Sequence, residues 1–144
     1  MNRIKINLPE KFKFKTEIPL RISDINYGGH LGNDKILSLI QEARVRFLKE
    51  FGYSEMNVES FGIIMIDAAV EYKSEAFYGD TVLIEAGIGN IDKIGFDIFY
   101  RIQNKASGKE IALAKTGILI FDYGKRKIAA VPEAFVEKLK AYNA

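Results

Sequence analysis

Apolar and polar positions change period along this chain, and the changes mark out its elements. Over residues 12–22 the period is two. Phe12, Phe14, Ile18, Leu20 and Ile22 share one face, and Lys13, Lys15, Glu17 and Arg21 take the other, which predicts a half-buried strand. Pro19 donates no hydrogen bond, so it suits an edge strand or a side that needs no ladder bond. From residue 34 the period lengthens to three and four. Ile36, Leu39, Ile40, Ala43, Phe47 and Phe51 form one stripe, which predicts a helix over 34–51 with Asn33 or Asp34 as its cap and Gly52 as its stop. Alternation then returns in four segments, 62–77, 81–91, 94–104 and 110–122. Within them Ile64, Ile66, Ala68, Val70 and Tyr72 share a face, as do Val82, Ile84, Ala86 and Ile88, and Phe96, Ile98, Tyr100 and Ile102. Tyr78-Gly79-Asp80 and Ser107-Gly108-Lys109-Glu110 supply turns, and Gly87, Gly89 and Gly95 suggest bulges or close backbone approach. A short helix from Pro132, over about 132–142, ends the chain.

Short links between consecutive strands imply antiparallel pairing. An amphipathic helix followed by long strands implies an α+β domain in which a curved antiparallel sheet covers the long helix. With 144 residues and no linker or repeat, the chain reads as a single domain over 1–144.

Composition narrows the chemistry. There is no cysteine, so disulfides, thiolate nucleophiles and sulfur-based zinc sites are excluded. Twenty-one Lys and Arg against 19 Asp and Glu leave a formal charge of +2, too small for a nucleic-acid field. Arg3, Lys5, Lys11, Lys13 and Lys15, and later Lys125, Arg126 and Lys127, read as solvated surface or as a dock for a small polyphosphate. No signal-like apolar segment and no stretch of about 20 apolar residues is present, so a soluble cytoplasmic protein without membrane association is expected.

The segment Ser23-Asp-Ile-Asn-Tyr-Gly-Gly-His-Leu-Gly-Asn-Asp34 breaks the alternation and holds the only histidine, His30. Gly-Gly-His-Leu-Gly-Asn does not match the dinucleotide-binding glycine pattern, and no nucleophile elbow occurs. A metal on His30 with Asp24, Asp34 or Asp67 is poorly specified, so neither metal nor cofactor is expected. What remains is a polar loop entering a helix N-terminus, whose free N–H groups can hold a developing oxyanion. Gly28 and Gly29 would let backbone approach a ligand closely. A loop of turn formers with a surface histidine is the competing reading.

The run Asp24-x-Asn26-x-x-Gly29-His30-x-x-Asn33, followed by Gln41-Glu-Ala-Arg-Val-Arg-Phe-Leu48, resembles the 4-hydroxybenzoyl-CoA thioesterase-like branch of the hotdog-fold superfamily. Tyr78-Gly79-Asp80-Thr81-Val82 and the order of elements are similar too, so the resemblance spans about residues 12–124. It implies a hotdog fold, protomers pairing their sheets as a homodimer or homotetramer, and an active site at the interface that hydrolyses an acyl-CoA thioester. One departure stands out. The family's second aspartate, its working carboxylate, is Asn26 here. On this resemblance Asn26 and His30 position the attacking water, Asp24 supports them, and N–H groups from Gly29 to Asn33 hold the oxyanion. Gly28, Gly29, Leu31, Asn33 and Asp67 are the expected substrate contacts. Glu42 lies on the helix, where some hotdog enzymes carry a catalytic carboxylate, but its spacing from Arg46 favours a structural ion pair. The alternative is a hotdog module that binds acyl-CoA or an acyl carrier without turnover.

Overall fold

The computed structural model describes residues 1–144. The chain runs β1 (Phe14–Pro19), a 3-10 turn (Ile22–Asp24), α1 (Lys35–Lys49), β2 (Gly62–Tyr72), β3 (Thr81–Gly89), β4 (Gly95–Asn104), β5 (Glu110–Asp122), β6 (Lys127–Ile128) and α2 (Glu133–Asn143). One antiparallel sheet has the order β1-β3-β4-β5-β2, with β6 added on β5. β1 and β2 are therefore its edges, and Pro19 ends the first of them.

The inner face is the one that alternation predicts. Val82, Ile84, Ile98, Tyr100 and Ile102 are fully buried against the Ile36, Leu39, Ile40, Ala43 and Phe47 stripe of α1. Each of the larger apolar side chains contributes about 1.5–3 kcal/mol by leaving water. Gly52 closes the helix at φ +76°, a left-handed value that costs glycine little. Gly95 packs so tightly that a Cβ would collide with the Ile118 carbonyl.

Four local expectations are corrected. Ile22 lies on a 3-10 turn and is 71% exposed, because the Asp24 carboxylate captures the Arg21 N–H at 2.8 Å and bends the chain out of β1. The helix spans 15 residues, Lys35–Lys49, and Asp34 precedes it in helical conformation without a side-chain cap bond. β2 stops at Tyr72 instead of 77, where the N–H groups of Lys73 and Ser74 both turn to the Ile111 carbonyl, at 2.9 and 3.2 Å. Within β2, Met65 faces Ile118 and Asp67 faces Gly117, so Ile66 is an unpaired bulge residue. The bulge reverses the parity beyond it and puts Asp67 on the outer face, opposite Ile63 and Met65.

The N-terminal segment crosses that outer face. The Ile6 N–H donates to Glu71 at 3.1 Å, and Phe12 lies against Gly87 beneath the Arg101 guanidinium. No helix is long and apolar enough to cross a membrane.

Candidate active site

The loop between the 3-10 turn and α1 is held by its own backbone. Ile25 and Leu31 form an antiparallel bridge, the Asn26 N–H donates to the His30 carbonyl at 2.9 Å, and the Gly29 N–H returns to the Asn26 carbonyl at 3.1 Å. Gly29 turns the chain at φ +82°. The Asn26 Oδ1 accepts the Gly28 N–H at 2.9 Å, so the atom Asn26 can offer a ligand is Nδ2, a donor. Two further bonds anchor the loop to its surroundings. The Gly32 N–H donates to the Asp24 carbonyl at 2.9 Å, and the Leu31 N–H donates to the Ala76 carbonyl at 2.8 Å.

These bonds bring Asn26, His30, Leu31 and Asn33 to one cleft of about 330 Å³, closed on its other side by residues 72–76 and by Ile111. Ile36 on the first turn of α1 also lines it, so the free N–H groups of that helix end begin at the cleft. Tyr72 donates its hydroxyl to the Asn33 carbonyl at 3.2 Å across the cleft.

His30 is half-buried, and its Nδ1 lies 3.2 Å from the Leu31 carbonyl. A carbonyl only accepts, so this contact puts a proton on Nδ1, and in the neutral imidazole the lone pair then lies on Nε2. Nε2 stands 3.7 Å from Glu75 Oε1. Gly28 makes room on this side, since a Cβ there would come within 2.9 Å of Nε2.

Other expected site residues lie elsewhere. Asp24 is buried with its carboxylate on the Arg21 N–H, at the foot of the loop. Asp67 sits on the outer face, bonded by Lys115 Nζ at 2.8 Å and by the Gly117 N–H at 2.9 Å. Glu42 pairs with Arg46 at 2.8 Å, and Arg46 reaches on to Thr16 and the Glu17 carbonyl, pinning α1 to β1. Of the N–H groups expected to hold an oxyanion, those of Gly29, Leu31 and Gly32 are spent on carbonyls within the protein, which leaves those of His30 and Asn33.

Sequence reading missed the wall formed by Tyr72, Ser74 and Glu75, because it continued β2 through them. Lys73-Ser74-Glu75 is three polar residues in a row, and that lapse in alternation was the available signal. No three His, Cys, Asp or Glu side chains gather as a metal site.

Three comparisons bear on this geometry. The thioesterase-like superfamily matches the chain over residues 20–139. A protein of Aquifex aeolicus (strain VF5), whose name assigns it provisionally as an esterase, is 28% identical over 102 residues, 69% of this chain and 77% of that one. Among solved structures, the 1,4-dihydroxy-2-naphthoyl-CoA thioesterase from Synechocystis superposes with a TM-score of 0.81 at 22% identity, covering 91% of this chain and 98% of its own. A Staphylococcus aureus protein solved in complex with CoA gives 0.81 at 16% identity, covering 96% and 87%. At these identities the structural likenesses establish a common fold.

Proposed function

The chain belongs to the thioesterase-like superfamily, and from that premise we propose that it hydrolyses an acyl-CoA thioester to a free acid and CoA. The observation that carries the reading is the meeting of Asn26, His30 and the start of α1 on one cleft. A thioester carbonyl seated there would face the Asn26 Nδ2 donor and the N–H groups of Asn33 and the first helical turn, which suit a developing oxyanion. His30 Nε2 takes a proton from water, and the water oxygen attacks the carbonyl carbon. The tetrahedral intermediate then expels the thiolate as the C–S bond breaks, and the imidazolium returns the proton to sulfur. Asp24 serves this chemistry by holding the loop. The CoA seen with the Staphylococcus aureus neighbour is consistent with a CoA thioester as substrate.

We place the working unit at a homodimer or larger homo-oligomer with a hotdog arrangement around α1. In support, β2 is an edge strand carrying exposed Met65, Ile66 and Tyr72. Such an edge invites pairing with a second copy.

A second reading, an acyl-CoA or acyl-carrier binding module, draws on Asn26, which cannot act as a base. A thiol-release screen over short, medium, long and aromatic acyl-CoAs separates the two. Release that falls in Asn26→Ala and His30→Ala supports hydrolysis at this cleft. Undiminished release in both variants rejects the site, and tight binding without turnover selects the binding module.

A further inference from the structure

We propose that Glu75 is a catalytic residue that shares the attacking water with His30 and supplies the carboxylate that position 26 lacks. The inference rests on the thioesterase reading above. Three observations carry it.

The first is the tautomer. With Nδ1–H directed at the Leu31 carbonyl, Nε2 of the neutral His30 ring is an acceptor. Glu75 Oε1 is an acceptor too, and the two stand 3.7 Å apart, beyond direct hydrogen-bond range. Two acceptors at that separation call for a shared donor. A water about 2.8 Å from each closes the triangle, giving one O–H to Nε2 and the other to the carboxylate. Its lone pairs then point away from both, toward a carbonyl in the cleft.

The second is position. His30 and Glu75 line the same cleft as Asn26 and Asn33, so the shared water lies beside the oxyanion donors. The third is how the pair is held. The Leu31 N–H to Ala76 carbonyl bond, at 2.8 Å, joins the residue after His30 to the residue after Glu75. Gly28 keeps the space beside Nε2 clear of a Cβ.

The chemistry follows from the charges. As water loses a proton to Nε2 and its oxygen bonds to the carbonyl carbon, the imidazole becomes a cation beside the Glu75 carboxylate. That pair forms only after proton transfer, so Glu75 lowers the barrier more than it strengthens substrate binding. The neighbouring cation Lys73 is engaged elsewhere, 2.7 Å from Glu71, and leaves the Glu75 charge available to His30.

The test uses the full chain and an acyl-CoA that the wild type hydrolyses. Glu75→Gln should lower kcat about 10- to 100-fold at nearly constant KM. Added to His30→Ala it should cost little more than His30→Ala alone, because the two act on one water. Thermal unfolding of Glu75→Gln, an exposed position, should match the wild type. Full kcat in Glu75→Gln, or losses that multiply independently in the double variant, overturns the assignment while the thioesterase reading stands. Absence of thiol release by the wild type overturns both.

Discussion

The Arg21 N–H donates to the Asp24 carboxylate at 2.8 Å, and the backbone of the same aspartate receives the Gly32 N–H. One residue thus closes the turn leaving β1 and fastens the far end of the loop that carries Asn26 and His30. Its side chain is buried and turned toward Arg21, which is the geometry of a staple.

Asp24→Asn keeps an acceptor for the Arg21 N–H and should retain most thiol-release activity. Asp24→Ala removes it and should cost about 1–2 kcal/mol in urea unfolding, with a fall in kcat as the loop loosens. Equal loss of activity in the two variants would instead make Asp24 the working carboxylate.

Asn26 offers a sharper test, because a carboxylate can be restored there. Asp at 26 still accepts the Gly28 N–H, so the loop geometry survives the change. The new carboxylate can take the proton that otherwise goes to His30. Asn26→Asp combined with His30→Ala should therefore hydrolyse acyl-CoA at least about 10-fold faster than His30→Ala alone. Steady-state kinetics on the two chains decides it.

Much of this architecture is legible in the sequence where a strand has one buried and one open face. β3 and β4 obey that rule, and Val82, Ile84, Phe96, Ile98, Tyr100 and Ile102 on their inner face follow from alternation. β5 does not, because residues 111–114 and 116–118 are buried in unbroken runs. Edge strands obey it less. β1 loses Ile22 to a turn set by Asp24, and β2 loses parity at Ile66, an event that side-chain period cannot encode. The loop was recognisable by its glycines and its histidine. Glu75 was not, because its relation to His30 depends on a backbone bond between residues remote in sequence.

Inside the core, Arg44 Nη1 donates to the Tyr100 hydroxyl at 3.1 Å, which in turn lies 3.0 Å from Thr116 Oγ1. Arg44 also bonds Glu55 at 2.9 Å, so the helix, the Glu55 segment and two strands share one polar network. Burial pushes the Tyr100 phenol above its ordinary range, against the opposing pull of Arg44 and Thr116. Tyr100→Phe removes the link and strands a buried guanidinium donor. It should destabilise the fold by about 1–3 kcal/mol in urea, and adding Arg44→Met should recover part of that loss.

On the outer face, hydrogen bonding from Lys115 holds the Asp67 carboxyl below its usual value, against the opposing effect of desolvation and with help from the Lys115 charge and the Gly117 N–H. The sign of the linkage follows. A carboxyl lowered on folding stabilises above its unfolded value, near 4, and that contribution disappears as pH falls through the folded value. Because the side chain is 58% exposed, solvent limits the effect to under about 1 kcal/mol. Asp67→Asn should therefore be slightly less stable than the wild type at pH 7, and the two should converge well below pH 4. Urea midpoints at the two pH values check this. Since Asp67 lies across the sheet from the cleft, thiol release at pH 7 should be unchanged in the variant, and a drop in kcat/KM would return Asp67 to the substrate path.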